Sequence, residues 1–493
     1  MFARNLALLA VLLATPGLWA APSVPTDDDA IRHVLNRLTY GARPGDIERV
    51  RTMGLQRWID QQLDPGHIDN SAVERRLTAL ETLTLDAATT QREYAGPAMR
   101  ERREWKLANR DGNREPGDGN REMQPDPGSR QPSAAQRNNR QVLTDLEEAK
   151  LLRAIYSDRQ LEEVLVDFWF NHFNVFAGKG QTRNYIAAYE RDAIRPYVFG
   201  SFRDMLGATA KHPAMLFYLD NWLNTSEQSP RAPARRTAVA SQPGAARRSR
   251  GINENYAREL LELHTLGVDG GYTQDDIVNV ARAFTGWTTR PREGTGFLFV
   301  PALHDRNAKT VLGQVISVGG SADGERVLDI VAAHPSTARH IATKLAIKFV
   351  SDTPPPALVD RAAARFTASR GNLSEMVQTI VTSPEFFAAA ARTVKVKTPL
   401  EFVVSALRAT NADVRSSLPL TRTLRDMGMA PYFCQPPTGY DDTATAWVNA
   451  GALVARMNFA VELSKNQVRG VRVAMSEAET AALEIGAPAF QRQ

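Results

Sequence analysis

Apolar residues recur at helical spacing over much of the chain. In Asp29–Leu38, the residues Ile31, Val34, Leu35 and Leu38 stand at positions i, i+3, i+4 and i+7, which form one face of an α-helix. The same periodicity predicts helices at Val142–Tyr156, Leu161–Phe176, Ser336–Val350, Pro356–Thr367, Leu373–Thr382, Pro399–Thr410 and Ala444–Leu463. The pattern therefore predicts a mainly α fold.

Helix-start signals support this prediction. Pro44 is typical of a first helical turn, and the apolar residues Ile47 and Val50 follow it at helical spacing. Thr273 precedes Asp276 by three residues, immediately before another periodic apolar run. This spacing resembles a capping box, in which the two side chains bind the free backbone N–H groups of a helix start.

Only two segments resemble β-strands. They are Phe297–Pro301 and Val311–Val318, and we expect them to pair as one small β-hairpin. No Gly-rich phosphate-binding loop follows either segment, so the sequence gives no support for nucleotide binding. The expected architecture is a large multi-helix single body over residues 29–465, followed by a partly helical C-terminal tail over residues 466–493.

Two insertions interrupt the periodic pattern. Residues 108–140 contain no Leu, Ile, Val, Phe, Trp or Tyr, and residues 225–251 carry six arginines against one acidic residue, Glu227. Such segments bury too little apolar area to offset their ordering entropy, so we predict that both are disordered. The second accounts for most of the chain's net charge of +5. It lacks the interleaved aromatic residues of a nucleic-acid interface, so we expect no nucleic-acid partner.

The N-terminus indicates export. Residues 1–20 combine Arg4, an apolar run from Leu6 to Ala14 and a small residue at Ala20, which is typical of a cleaved signal peptide. The apolar run is far shorter than the roughly 20 residues that span a bilayer. No other long apolar run occurs, so we expect no transmembrane anchor and a protein located in the periplasm or outside the cell.

Composition narrows the chemistry further. The chain is 43% hydrophobic and 23% charged, which is ordinary for a globular protein. One cysteine in 493 residues excludes a disulfide framework and any zinc or iron–sulfur site built from cysteines. We expect Cys434 to be a small buried apolar residue, with an intermolecular disulfide or a reactive thiol as the alternatives.

The densest polar motif is the block Asn253–Gly267. On a regular α-helix Asn255, Glu259 and Glu262 share one face, and Arg258 is an ion-pair partner for a neighbouring residue. The block fits a buried functional cluster of Glu, Asn, Arg and His. It fits equally well a salt-bridged amphipathic helix with a histidine that is satisfied in the core.

Further polar residues stand in other apolar segments. We predict that Glu259, Glu262 and His172 are catalytic. The predicted binding residues are His212, Asp220, Asn255, Arg258, His264 and His304. We expect His172 and His212 to approach the face that carries the two glutamates. Such a set suits a divalent metal (zinc, manganese or iron), or general acid–base chemistry on a sugar or a peptide.

Several blocks resemble one known family. They begin with His33-Val-Leu-Asn-Arg-Leu-Thr-Tyr-Gly-Ala-Arg-Pro-Gly-Asp46 and Asn171-His-Phe, and continue through His212-Pro-Ala-Met-Leu, Asn253–Gly267, Phe284-Thr-Gly-Trp287 and Pro436-Pro-Thr-Gly-Tyr440. In this order they resemble the domain of unknown function 1800 family of exported bacterial proteins. The resemblance implies an envelope role and, as partner, a co-encoded exported protein of the domain of unknown function 1501 family. It implies no catalytic residues.

Two functional hypotheses remain open. The first is a hydrolase or a metal-dependent enzyme with a Glu/His/Asn site, and it requires the polar blocks to converge in one concave pocket. The second is a non-catalytic envelope scaffold or partner protein. It expects separate structural pairs beside an exposed apolar patch of a few hundred Å².

Overall fold

The structure is a computed structural model that describes residues 24–111, 131–227, 251–317, 319–474 and 484–493. The predicted signal peptide lies outside these ranges. The described residues are mostly helical, as the hydrophobic pattern predicts. No helix among them has both the length and the apolar character needed to cross a membrane.

Eleven helices of the described chain precede the Asn253–Gly267 block. They are α1 (Asp28–Leu38), α2 (Asp46–Met53), α3 (Leu55–Leu63), α4 (Ser71–Leu77), α5 (Ala87–Thr89), α6 (Gly96–Asp111), α7 (Ala134–Tyr156), α8 (Gln160–His172), α9 (Ile186–Tyr189), α10 (Phe202–Lys211) and α11 (Pro213–Tyr218). The predicted amphipathic face of α1 is buried, which confirms the pattern at the first helix.

The second half begins with the most distinctive block. Its helices are α12 (Asn255–Glu259), α13 (Gln274–Ala283), α14 (Ala322–Ala332), α15 (Pro335–Phe349), α16 (Pro356–Ala368), α17 (Leu373–Val381), α18 (Pro384–Phe387), α19 (Pro399–Ala409), α20 (Leu418–Asp426), α21 (Ala444–Trp447) and α22 (Ala450–Ser464). The predicted capping box at Thr273 and Asp276 is confirmed at the start of α13.

Two helices form the centre of the hydrophobic core. In α8 the side chains of Leu161, Leu165 and Trp169 are fully buried, and α19 is buried along nearly its whole length. Helices that are buried to this extent are surrounded by other elements. His172, at the end of α8, is therefore a polar residue that lies within the core.

The β-structure differs from the prediction. The strands are β1 (Trp287–Thr288), β2 (Leu298–Phe299), β3 (Lys309–Val311), β4 (Gln314–Ile316), β5 (Asp413–Val414) and β6 (Val471–Arg472), and they pair antiparallel as β1–β2, β3–β4 and β5–β6. The expected hairpin between Phe297–Pro301 and Val311–Val318 is wrong. Leu312 and Gly313 both have positive φ, at 48° and 77°, so they form a tight turn inside the second segment.

Two further predictions need correction. The disorder predicted over residues 108–140 is wrong only at its two ends, where α6 is helical up to Asp111 and α7 from Ala134, and residues 112–130 lie outside the described residues. Ser133 caps the start of α7 with a capping box, which the composition of the segment concealed. Most of the second insertion, residues 225–251, lies outside the described residues. The helix predicted over Ala444–Leu463 is broken, because Asn449 caps a new start at α22.

The C-terminal tail packs on the body. Val471 pairs with Val414, and the backbone N–H of Gln493 donates to the carbonyl of Lys395 at 2.9 Å. The described residues beyond the expected boundary at 465, which are 466–474 and 484–493, therefore pack on the same body.

Candidate functional site

The Asn253–Gly267 block begins as an α-helix and continues as a π-helix. The α12 segment ends at Glu259, and residues Leu260–Thr265 follow in π geometry. The hydroxyl of Thr265 donates to the carbonyl of Leu260 at 2.6 Å, which stabilises the wider turn. This turn changes the angular position of every later residue, including Glu262 and His264. Single π-helical turns are frequent at functional sites.

Histidines cap the inner side of this block. His172 Nε2 lies 3.1 Å from the carbonyl of His264, and His340 Nε2 lies 3.1 Å from the carbonyl of Leu263. Helix ends leave carbonyls without intrahelical partners, and these imidazoles satisfy two of them. His172 therefore contacts the backbone of the block rather than a glutamate, and its approach to the face that carries Glu259 and Glu262 stays a prediction.

The three imidazoles form a neutral cluster. The rings of His264 and His340 lie 6.2 and 6.1 Å from that of His172. Burial lowers the pKa of His264 to about 3, and the positive charge of Lys344 acts in the same direction. Burial likewise lowers the pKa values of His172 and His340. In the described ranges no group of three or more His, Cys, Asp or Glu residues has the geometry to hold a metal ion.

Glu259 and Glu262 lie on the outer, partly exposed side of the Asn253–Gly267 block. Within the described residues neither carboxylate has a hydrogen bond or an ion pair. Burial raises the pKa of Glu259, the negative charge of Glu262 raises it further, and Arg258 lowers it. Arg258 itself is paired with Glu254 at 3.3 Å. The two carboxylates thus form a repelling pair, one member of which is easier to protonate than a free glutamate.

Asparagines connect this block to the preceding chain. The amide of Asn255 donates to the carbonyl of Leu219 at 3.1 Å, and that of Asn253 donates to the carbonyl of Asp220 at 3.3 Å. Asp220 has a φ of 60° and pairs with Lys179 at 2.9 Å. These contacts fix the position of the block, so Asn255 and Asp220 have structural partners.

His304 has a different set of partners. Its Nδ1 lies 2.8 Å from the carbonyl of Thr285, and its Nε2 lies 3.2 Å from a carboxylate oxygen of Asp323. Lys309 donates to the same oxygen at 2.6 Å. Although burial alone would raise the pKa of Asp323, the hydrogen bond from Lys309 lowers it. This cluster is closed and joins the loops around β3.

The neighbours of His212 belong to a third region of the structure, around the start of α11. It caps α11, because its Nδ1 accepts from the backbone N–H of Ala214 at 3.2 Å. Its ring centroid lies 5.1 Å from that of Tyr189. Burial lowers the pKa of His212 to about 3, whereas the charge of Asp192 raises it and that of Arg191 lowers it. The charged neighbours of His212 are therefore Asp192 and Arg191.

Another motif pair, which we name the clamp, consists of Asn171 and Asn174 with the loop Cys434–Tyr440. Asn171 exchanges two hydrogen bonds with the backbone of Tyr440, at 2.7 and 2.6 Å, and Asn174 donates to the carbonyls of Cys434 and Pro436. Gly439 has a φ of 75°, and a Cβ there would lie 2.3 Å from the carbonyl oxygen of Asn171. Only glycine fits this approach.

A small cavity lies beneath the clamp. Its volume is about 30 Å³, and Lys150, Asp167 and Cys434 contribute to its lining. Lys150 pairs with Asp167 at 2.5 Å. Cys434 is buried, as predicted, and burial raises the pKa of its thiol to about 11. The cavity has room for only a few water molecules and is too small for a substrate.

One surface feature escaped the sequence analysis. Along α22 the apolar residues that remain exposed are Val448 just before it (64%), then Leu453 (50%), Val454 (56%), Met457 (50%) and Val461 (42%). Phe459 and Leu463, on the other side of the helix, are buried. We name these five exposed residues the α22 face. The signal in the sequence is that α22 carries apolar residues on both sides, whereas a surface helix usually has only one apolar side.

The comparison with protein families covers nearly the whole chain. The sequence profile of DUF1800, described as a protein of unknown function, matches residues 33–491. No curated protein and no solved structure matches the chain. The match includes the histidine caps, the clamp and α22, so the chain belongs to the DUF1800 family of proteins of unknown function.

Proposed function

We propose that this protein is an exported, non-catalytic envelope protein that binds a partner protein through the α22 face. The single observation that carries the proposal is the run of exposed apolar side chains at Leu453, Val454, Met457 and Val461. They follow the spacing of anchors by which a helix binds an apolar groove. Their exposed apolar surface is on the order of a few hundred Å², a size that often marks an interaction site.

The hydrogen-bond partners of the polar motifs support the same proposal. His172 caps a helix end, Asn171 holds a loop, and His304 lies in a closed ion cluster. Each of these three groups has at least one protein partner, and the three lie in different surroundings, as expected of a scaffold. An enzyme site would leave several of them facing a common cavity.

The proposed occupant is a different protein rather than a second copy. A stable interface needs about 800 Å² from each partner. Two α22 faces packed together would supply clearly less, whereas an apolar groove with a polar rim would also cover the sides of the helix. The family resemblance points to a co-encoded exported protein of the domain of unknown function 1501 family.

Binding of that protein to the mature chain tests the proposal. We expect the wild type to be monomeric in light scattering and to bind the purified family-1501 protein in calorimetry. The double variant Val454→Asp, Met457→Asp should reduce the affinity at least tenfold. Val315→Asp is the matched control, because Val315 is a 69% exposed valine on β4. Unchanged binding of the double variant, or dimerisation of the wild type through α22, would overturn the proposal.

A second candidate function is acid–base hydrolysis at Glu259 and Glu262. The raised pKa of Glu259, caused by burial and by Glu262, favours it, since catalytic acids are commonly tuned in this way. Chromogenic glycosides and esters would test it. Hydrolysis by the wild type that is lost in Glu259→Gln but kept in Glu254→Gln would support an enzyme. No hydrolysis by the wild type would reject this candidate for those substrates.

A further inference from the structure

A surface groove of about 470 Å³ lies beside His212. Alanines from three helices, Ala87, Ala188 and Ala208, contribute its apolar floor. Small side chains leave room there for a ligand of several rings. The groove belongs neither to the α22 face nor to the clamp.

A glycine brings an aromatic ring to this groove. Gly294 has a φ of 66°, and a Cβ there would lie 2.6 Å from the carbonyl oxygen of Ala87. Only glycine allows the loop to approach the floor so closely. The next residues include Phe297, which lines the groove and packs edge-on against Trp287 with ring centroids 5.0 Å apart. Phe297 is only half-buried, so part of its ring remains available.

Three of the four charged residues around the groove are paired within the protein, and the fourth, Asp86, caps α5 by accepting from the backbone N–H of Thr89 at 2.6 Å. Arg191 forms two hydrogen bonds with Asp192, both at 2.7 Å, and a third with the carbonyl of Leu83 at 2.8 Å. Lys211 pairs with Glu325 at 2.5 Å. A phosphate or carboxylate ligand would have to compete with these carboxylates. The groove therefore favours an uncharged ligand.

His212 supplies a hydrogen-bond donor that the protein does not use. A backbone N–H can only donate, so the bond from Ala214 makes Nδ1 the acceptor and leaves the proton on Nε2. Among the described residues this Nε2–H has no partner. Because burial lowers the pKa of His212 to about 3, the ring is neutral at ordinary pH and remains a fixed donor.

We propose that this groove binds a neutral oligosaccharide. The Nε2–H of His212 donates to a sugar oxygen, the carboxylates of Asp86 and Asp192 accept from hydroxyl groups, and the ring of Phe297 packs against a C–H face of the sugar. A mostly apolar site with a few convergent donors and acceptors of zero net charge matches a polyhydroxylated, uncharged ligand. This inference goes beyond the partner-docking function and does not depend on it.

Binding of three neutral tetrasaccharides, maltotetraose, chitotetraose and mannotetraose, to the mature chain tests the inference by calorimetry. We expect at least one of them to bind with a Kd below about 1 mM. His212→Asn should weaken that binding at least tenfold, because asparagine keeps the helix-capping acceptor but cannot reproduce the Nε2–H donor. Phe297→Leu should also weaken it. His334→Asn is the matched control, since His334 caps α15 in the same way.

Three results would overturn the inference. They are no binding of any of the three sugars to the wild type, equal affinity in His212→Asn, and tighter binding of inorganic phosphate than of the sugars. Ala88→Trp places a bulky ring on an exposed position at the groove, so it should block binding without disturbing the core. The α22 double variant should bind the sugar normally, which separates this inference from the docking proposal.

Discussion

The clamp and the groove beside His212 both bring polar side chains together with aromatic rings, but they differ in what remains unpaired. In the clamp, the amide groups of Asn171 and Asn174 form hydrogen bonds with the backbone of the loop Cys434–Tyr440. In the groove, only one of the two ring nitrogens of His212 forms a hydrogen bond within the protein. The clamp is thus complete as a folding contact, whereas the groove retains the capacity to bind something else.

This difference explains why the most recognisable motifs of the chain need not mark a binding site. The most recognisable blocks contain groups that a buried loop or helix end requires, because an unpaired buried polar group costs about 1–3 kcal/mol. Groups that face solvent are under no such constraint. The proposed functional surfaces, the groove and the α22 face, therefore carry a weaker sequence signal than the clamp.

The largest expected effect is on the ion pair beneath the clamp. Lys150→Met leaves Asp167 without its cation at a site where the two side chains are 12% and 18% exposed. We expect a loss of about 3–4 kcal/mol in the free energy of unfolding, measured with urea, since removing one partner leaves a poorly solvated charge. The exposed Lys106→Met is the control. A loss below about 1 kcal/mol would mean that the clamp is less rigid than its geometry indicates.

Glu147 gives a pH-dependent test of the same contrast, because it is a buried group that the protein leaves partly unpaired. Its Oε1 has no partner among the described residues, and burial raises its pKa from 4.5 to about 7. Between these two values the folded state binds a proton that the unfolded state does not. Stability therefore rises as pH falls from 7 to 4.5, and it is lost again as pH rises.

Glu147→Gln removes this dependence. At pH 8 the variant should be more stable than the wild type by up to about 3 kcal/mol, and the two should converge below pH 4.5. Urea unfolding at pH 4, 6 and 8 measures the difference. The exposed Glu104→Gln should show no such trend. A constant difference at all three pH values would contradict the assigned cause.

A smaller loss is expected at the clamp itself. Asn171→Ala removes both hydrogen bonds to the backbone of Tyr440, so we expect a loss of about 2 kcal/mol. Asn171→Asp keeps the acceptor but places a carboxylate oxygen against the carbonyl of Tyr440, so it should lose at least as much at neutral pH. A loss below about 0.5 kcal/mol in Asn171→Ala would mean that the reciprocal pairing is not the stabilising feature.

The smallest effect compares two histidine caps. His212 and His334 each precede a proline at a helix start, and each accepts from a backbone N–H at 3.2 Å. Replacing either by alanine should cost about 1 kcal/mol, whereas asparagine should restore most of it. Thermal unfolding measures both series. A larger loss for His212→Asn than for His334→Asn would show that the groove donor also stabilises the fold.

Much of the helical framework could be predicted from local pattern. The amphipathic face of α1 and the capping box of α13 depend on residues within one or two helical turns, and both are confirmed. The paired strands could not be predicted, because the turn at Leu312–Gly313 decides the register and one of its residues is a leucine with positive φ. Composition also concealed the first turns of α7, where a local cap outweighs the lack of apolar residues.

The candidate site was less predictable than the fold. The sequence predicted that His172 approaches the face of Glu259 and Glu262, but the π-helical turn that makes the carbonyl of His264 its partner was not visible. It gave no indication that His212 would lie with Asp192 and Arg191. Arg191 and Asp192 lie in the π-helical turn Glu190–Ile194, about 20 residues before His212, and only chain packing brings them to the groove.

By itself, the sequence determined the helical character, the family and the residues that carry polar groups, because these depend on periodicity and on ordered motifs along the chain. Only the tertiary structure decided which polar groups find hydrogen-bond partners inside the protein. Whether His212 or Asn171 keeps a free hydrogen-bonding atom depends on backbone groups that are distant in sequence. Exposure of the α22 face was likewise decided by packing, since an apolar pattern predicts burial and only the neighbouring elements determine which side is covered.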